Sequence, residues 1–186
     1  MSRNIRLLLL LTASMLIVGS PEAQSNGGDR RKEPSLFYPD YEDTGFHNAK
    51  PPSDAVLNAL LKTPEAKLNS DHLSALDRAQ IRGLFRVVRV HLTTSDEVDW
   101  VVGGKFPMTS ADGDWFWLVR EAKGRPEVVL FASGLSLELL GKRTMAFKDV
   151  RTVWSSAAGY TLTDIYHFDG TRYRRVHAFT KTDRLP

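Results

Sequence analysis

The stretch YTLTDIYHFDGTRYRRVHAF, from Tyr160 to Phe179, is the clearest indicator of fold in this chain. Asp169-Gly170 at its centre is typical of a two-residue type I′ turn, in which both central residues need a positive φ. Apolar and polar side chains alternate on both sides of the turn, as they do along half-buried strands. The sequence therefore predicts an antiparallel β-hairpin in which Phe168 faces Thr171.

The length of the turn fixes the expected register of this hairpin. With two turn residues, one face carries four cross-strand pairs: Phe168 with Thr171, Tyr166 with Tyr173, Asp164 with Arg175, and Leu162 with His177. His167 falls on the opposite face, where it pairs with Arg172. Asp164, Arg175 and His177 then form a cluster that ordinary cross-strand charge pairing explains better than catalysis does.

Upstream of the hairpin the pattern changes from helical to extended at Leu84. Ser53 is a favourable N-cap for a first helix, and a second helix is expected from Ser74 to about Ile81, with Ser74 and Asp77 as a capping pair. Six strands follow, separated by polar turns: 85–93, 98–102, 115–121, 127–132, 135–140 and 150–155. The expected fold is α+β and mainly β, with short N-terminal helices before an antiparallel β-meander in a curved sheet or a sandwich.

Tryptophan marks the strand that we expect to lie against the core. Trp115, Trp117 and Val119 share one face of the strand WFWLVRE because side chains alternate along an extended chain.

Three segments are expected along the chain. Residues 1–23 resemble an export signal, with Arg3 and Arg6 before the apolar run from Ile5 to Val18 and small residues after it. Residues 24–52 read as a linker or disordered arm, although Phe37, Tyr38, Tyr41 and Phe46 favour an arm that is held onto the domain. Residues 53–186 form a single α+β domain. The protein is thus expected to be periplasmic or secreted, without a stable membrane span after signal cleavage.

Composition excludes several classes of function. The chain has no cysteine, so disulfides, thiol catalysis and Cys-ligated metals are excluded. The net charge is only +3, and removal of Arg3, Arg6 and Glu22 with the signal lowers it by one. Because nucleic-acid binding needs a clustered basic face, no nucleic-acid partner is expected.

No motif in the sequence carries recognisable chemistry. The five histidines include no pair at the i, i+4 spacing of a helical zinc site, and the acidic groups at 96–99 and 112–114 lack the ligand pattern of a calcium loop. A phosphate-binding loop, a dinucleotide fingerprint and a nucleophile elbow are also missing. We therefore expect no metal site, no cofactor and no catalytic residues.

The C-terminal third resembles a family of small exported bacterial β-rich proteins that end in a Y-x-F-D-G-x-x-Y hairpin. The matching residues are Asp149-Val150, Thr152, Ser156-Ala157, Tyr166, Phe168-Asp169-Gly170 and Tyr173. The resemblance implies no established activity. Members of that family often carry a cysteine pair before the tryptophan strand, where this chain has GGKFPMTSADGDW and none.

A weaker similarity links the chain to periplasmic lysozyme inhibitors, which insert a loop with Ser and Tyr into an enzyme cleft. The segment from Ser155 to Tyr160, SSAAGY, is a small-residue loop of that general kind. Ser155, Ser156 and Tyr160 are therefore the candidate binding residues, together with the neighbouring turns at 103–114.

Two classes of function remain. The preferred one is a non-enzymatic binding module of the periplasm or cell envelope, with a protein or glycan partner, of which a lysozyme inhibitor is one form. The other is a hydrolase that uses Asp164, His167 or His177, which requires at least two of these side chains in one pocket.

Overall fold

The computed structural model describes residues 33–38, 45–110, 113–155 and 159–182. Within them the fold is α+β and mainly β, as predicted, and all strand pairs are antiparallel. The helices are α1 Asp54–Leu60, α2 Pro64–Leu68, α3 Ser70–Ser74 and α4 Arg78–Gly83. The strands are β1 Leu36–Phe37, β2 Phe85–Val90, β3 Asp99–Gly104, β4 Thr109–Ser110, β5 Gly113–Ala122, β6 Arg125–Gly134, β7 Ser136–Thr144, β8 Phe147–Ser155, β9 Tyr160–Phe168 and β10 Tyr173–Thr182.

The strands form two sheets. Sheet A has the order β1-β7-β8-β9-β10, and sheet B has the order β2-β3-β5, with β4 beside the start of β5 and β6 along its other side. One core cluster contains side chains from both sheets, among them Leu137 and Val150 from sheet A and Phe116 and Leu118 from sheet B. Of the two arrangements left open by the sequence, the structure is therefore the sandwich.

Sheet B is covered on both of its faces. Along β5, Phe116 and Leu118 point to sheet A, whereas Trp117 and Val119 pack with Leu57 and other apolar residues of the helices. The predicted shared face of Trp115, Trp117 and Val119 is confirmed, because all three join this second cluster. The opposite face of β5 is also buried, because sheet A packs against it in the sandwich.

Part of the expected linker packs into the domain. Phe37 is fully buried, Phe46 is nearly so, and their rings meet edge-on at a centroid distance of 5.3 Å. β1 pairs with β7, and Lys50 exchanges backbone hydrogen bonds with Val87 at the edge of β2. The packed chain therefore includes residues 33–38 and 45–50, before the expected boundary at 53.

The first helix begins where the sequence predicts, since the Ser53 hydroxyl accepts a hydrogen bond from Val56 N. The start predicted for the second helix, at Ser74, is wrong, although α4 covers the second half of the predicted range to Ile81. Ser74 ends α3 and donates its hydroxyl to Asp71 O, while α4 begins only after Asp77. Asp77 and Gln80 form a reciprocal capping box, each side chain accepting the other's backbone N–H, and this stronger cap sets the helix start.

The predicted register of the last hairpin is also wrong. Four residues, 169–172, connect β9 and β10, so Phe168 faces Tyr173 and Tyr166 faces Arg175. Of the two expected turn residues, only Gly170 has a positive φ, at 99°. The Asp169 carboxylate instead accepts hydrogen bonds from Thr171 N and Arg172 N, each at 2.9 Å, and so closes a longer loop.

A β-bulge between Arg175 and His177 then moves the rest of β10 to the other face. His177 pairs with Ile165 rather than with Leu162, and it leaves the predicted cluster with Asp164. Asp164 and Arg175 still share a face, with 3.6 Å between Oδ2 and Nη1.

The loop carboxylate makes the hairpin sensitive to acid. Hydrogen bonds from Arg172 N, the Arg174 guanidinium and Thr171 N hold the pKa of Asp169 well below its ordinary value of 3.8. Because the folded-state pKa is lowered, the stabilisation from these hydrogen bonds is complete above pH 3.8 and is lost as the pH falls towards the folded-state pKa. We expect the free energy of unfolding to be higher for wild type than for Asp169→Asn at neutral pH. This difference should shrink below pH 3.8. Urea titrations of both proteins across this range measure it, and a difference that grows on acidification would contradict the account.

Candidate functional site

Two of the three candidate binding residues lie at one end of sheet A. Ser155 is the exposed last residue of β8 and pairs with Thr161. Tyr160 is the first residue of β9, is 46% exposed, and pairs with Thr182 at the end of β10. Ser156 lies outside the described residues. Tyr160 is therefore next to the C-terminal end of β10, as the predicted hairpin from Tyr160 to Phe179 also implies, although its partner there is Thr182.

The two sheets are joined near the end of β8. Trp154 Nε1 donates to Ser133 O at 2.7 Å, and Leu135 N donates to Val153 O at 2.8 Å. Gly134 pairs with Asp114, and a Cβ on Gly134 would lie only 2.9 Å from Val153 O. These contacts bring the start of β5, which borders the turns at 103–114, close to the end of β8.

β10 is the edge strand of sheet A. It runs for ten residues and pairs with β9 along one side, and no described strand pairs with its other side. An edge of this kind presents a row of backbone N–H and C=O groups to another extended chain. Val176 and Phe179 on this strand are 42% and 53% exposed.

The face of sheet A directed away from sheet B forms a mixed patch next to this edge. We call it the outer face, and strand pairing arranges its side chains in three rows: Ser155–Thr161–Lys181, Val153–Thr163–Phe179 and Arg151–Ile165–His177. Ile165, in the middle of one row, and Phe179, at the β10 end of another, supply apolar area among the polar side chains. A surface with exposed apolar groups set among polar ones is typical of a protein-binding site.

The residues of the hydrolase hypothesis do not converge. Asp164 is buried on the face towards sheet B, opposite Thr152 of β8. Burial raises the pKa of Tyr166, and the neighbouring Asp164 charge adds to the shift, so this phenol stays protonated at neutral pH.

The two histidines of that hypothesis lie on the outer face, away from Asp164. His167 Nε2 is 3.3 Å from Oδ2 of the buried Asp149, and His177 is exposed. The expectation that the two histidines occupy opposite faces is wrong, because the bulge in β10 moves His177 to the side of His167. Among the described residues, no hydroxyl is hydrogen-bonded to the His167 ring, so this pair lacks an adjacent nucleophile.

The acidic stretch at 96–99 includes a carboxylate with a structural task. Asp99 is 3% exposed and accepts hydrogen bonds from Leu92 N at 2.9 Å and Glu121 N at 3.3 Å. Burial raises the pKa of Asp99 although these two bonds oppose the shift. Asp99 therefore connects its own strand, β3, with β5 and with the segment that follows β2. No group of three potential metal ligands is found in the described part of the chain.

The same described residues contain no helix with the length and apolar character needed to cross a membrane. Comparison with protein-family models, with curated proteins and with solved structures finds no match to this chain. The outer face and the β10 edge are therefore the features of this chain that bear on its function.

Proposed function

We propose that this chain is an exported, non-enzymatic binding module of the periplasm or cell envelope, and that it holds an extended segment of a partner protein along β10. The observation that carries the proposal is the long edge strand with exposed Val176 and Phe179. An added strand would satisfy the backbone groups of β10, and its alternate side chains would contact the outer face.

Charge and exposure support a protein segment as the occupant. Lys181 is exposed at the end of β10 and has no ion pair with a described carboxylate, so it favours an acidic residue in the partner. Tyr160 stands at the same end of the strand and supplies a large amphipathic contact. The export expected from residues 1–23 places the partner outside the cytoplasm.

The lysozyme-inhibitor form of this function makes a different use of the same end of sheet A. In that form the loop from Ser155 to Tyr160 enters the enzyme cleft, and the β10 edge contributes little. Substitutions in the loop and on the strand therefore separate the two forms.

The experiment is a pull-down with the mature protein from a periplasmic extract that also contains C-, G- and I-type lysozymes, with mass-spectrometric identification. The affinity of the captured protein is then measured for wild type, Phe179→Ala and Tyr160→Ala. We expect Phe179→Ala to weaken binding by about tenfold, because exposed aromatic anchors dominate interfaces.

Leu68→Ala is the matched control, because Leu68 is 81% exposed on α2, in the helical layer over sheet B. It should bind like wild type. Equal affinity of wild type and Phe179→Ala would contradict the proposed edge, and capture of a lysozyme whose affinity falls for Tyr160→Ala but not for Phe179→Ala would favour the inhibitor form.

A further inference from the structure

A second candidate site is a cleft of about 680 Å³ between α1, the start of β6 and the loop between β9 and β10. Its apolar wall includes Ala59, Pro126 and Val128, and its charged rim includes Lys62, Arg125 and Arg172. This volume lies within the range of about 300–1,000 Å³ that is usual for small-ligand sites. The cleft is separate from the outer face, although both involve the last hairpin.

The carboxylates that line the cleft are already neutralised. Glu127 Oε2 lies 3.0 Å from Arg120 Nη2, and Asp169 Oδ2 lies 2.9 Å from Arg174 Nε. Asp169 also accepts two backbone hydrogen bonds from its own loop. Neither acid is left to balance the other cations of the rim.

Three cations of the rim therefore remain in excess. Lys62, Arg125 and Arg172 are exposed, and none of them makes an ion pair with a carboxylate in the described part of the chain. Two guanidinium groups on neighbouring walls can each form paired hydrogen bonds to one planar or tetrahedral oxyanion.

The walls that carry the two arginines are held by local structure. Arg125 follows the tight turn Lys123-Gly124, in which both residues have a positive φ, and it pairs with Ala122 at the start of β6. Arg172 is fixed at its backbone, since its N–H donates to the Asp169 carboxylate and its carbonyl accepts from Asp169 N. A site built on such turns loses little entropy when a ligand binds.

We propose that this cleft binds a small organic anion that carries a carboxylate or phosphate group. The anionic group lies between Arg125 and Arg172, Lys62 adds a third positive charge to the same lining, and the remainder of the ligand covers the apolar wall. Ligands of this chemistry include acidic sugars and sugar phosphates.

The test uses isothermal titration and amide NMR at constant ionic strength, with inorganic phosphate, a hexuronic acid, a hexose phosphate and the neutral hexose as probes. An organic anion should bind more tightly than phosphate and shift the resonances of the cleft, and the neutral hexose should do neither. Arg125→Ala and Arg172→Ala should each weaken binding by about tenfold, as expected for loss of one charge-assisted contact.

Arg89→Ala is the matched control, because Arg89 is an exposed arginine of β2 outside this cleft. Equal weakening by Arg89→Ala would show attraction to general positive charge and would overturn the site. Binding of inorganic phosphate with no gain from either organic anion would overturn the assignment of an organic ligand, and absence of binding by all three anions would overturn both.

Discussion

Replacement of Trp117 by alanine should lower the free energy of unfolding by about 3–5 kcal/mol, the usual effect of a large aromatic deletion in a core. Trp117 is fully buried on the face of sheet B towards the helices. Its ring contacts Phe85, Trp115 and Phe131, with centroid distances of 5.6, 6.0 and 5.5 Å. The alanine variant leaves a cavity beneath α1 that these rings cannot fill without moving β5.

Trp117→Phe is the informative partner of this variant. The indole Nε1 is buried and has no hydrogen-bond partner among the described residues, so wild type already carries the penalty of an unsatisfied donor. Phenylalanine removes that donor and keeps most of the ring contacts, and the expected loss is about 1–2 kcal/mol. Urea denaturation at constant pH measures both variants. Equal losses for the two would contradict the packing described for this residue.

Phe37→Ala should also destabilise the protein by about 3–5 kcal/mol. Phe37 is fully buried in the core between the sheets and meets the Phe46 ring. Gly45 packs directly on Phe37, because a Cβ at position 45 would overlap the Phe37 ring. The side chain thus fixes residues 33–38 and 45–50 to the domain.

Leu36→Ala is the control at the neighbouring position, since Leu36 lies on the other side of β1 and is 39% exposed. Its effect should stay within about 0.5 kcal/mol. A Phe37→Ala variant as stable as Leu36→Ala would mean that this segment contributes nothing to the fold. Chemical denaturation followed by tryptophan fluorescence gives both values.

The sequence predicted the strands well because local pattern and tertiary burial agree there. Trp115, Trp117 and Val119 alternate with residues that are also apolar, and each strand ends in a polar turn such as Lys123-Gly124. A short apolar run that is bounded by turns and rich in aromatic and β-branched residues is typical of a strand buried on both faces.

Prediction failed where two local solutions compete with similar energy. Asp169-Gly170 suits a two-residue turn, yet the Asp169 carboxylate stabilises a four-residue loop by accepting two backbone N–H groups. Ser74 and Asp77 both suit a helix start, and the reciprocal bonds of Asp77 with Gln80 decide between them. Side-chain hydrogen bonds of this kind are invisible to hydrophobic periodicity.

The candidate sites depend on residues that are distant in sequence. Ser155 and Tyr160 could be proposed from one short loop, but their position beside the end of β10 depends on the register of the hairpin. The cleft is formed by α1, β6 and the loop at 169–172. Its distinguishing feature is the set of lining cations that have no ion pair with a described carboxylate. No local pattern in the sequence identifies such a set.

Site-specific photocrosslinking tests the binding account most directly. A benzoylphenylalanine at position 179, on the exposed side of β10, is compared with the same group at position 68 on α2 in the presence of the captured partner. The account predicts a crosslink from position 179 to one extended segment of the partner, and none from position 68. A partner that binds both proteins but crosslinks only from position 68, or equally from both, would show that β10 is not the recognition edge.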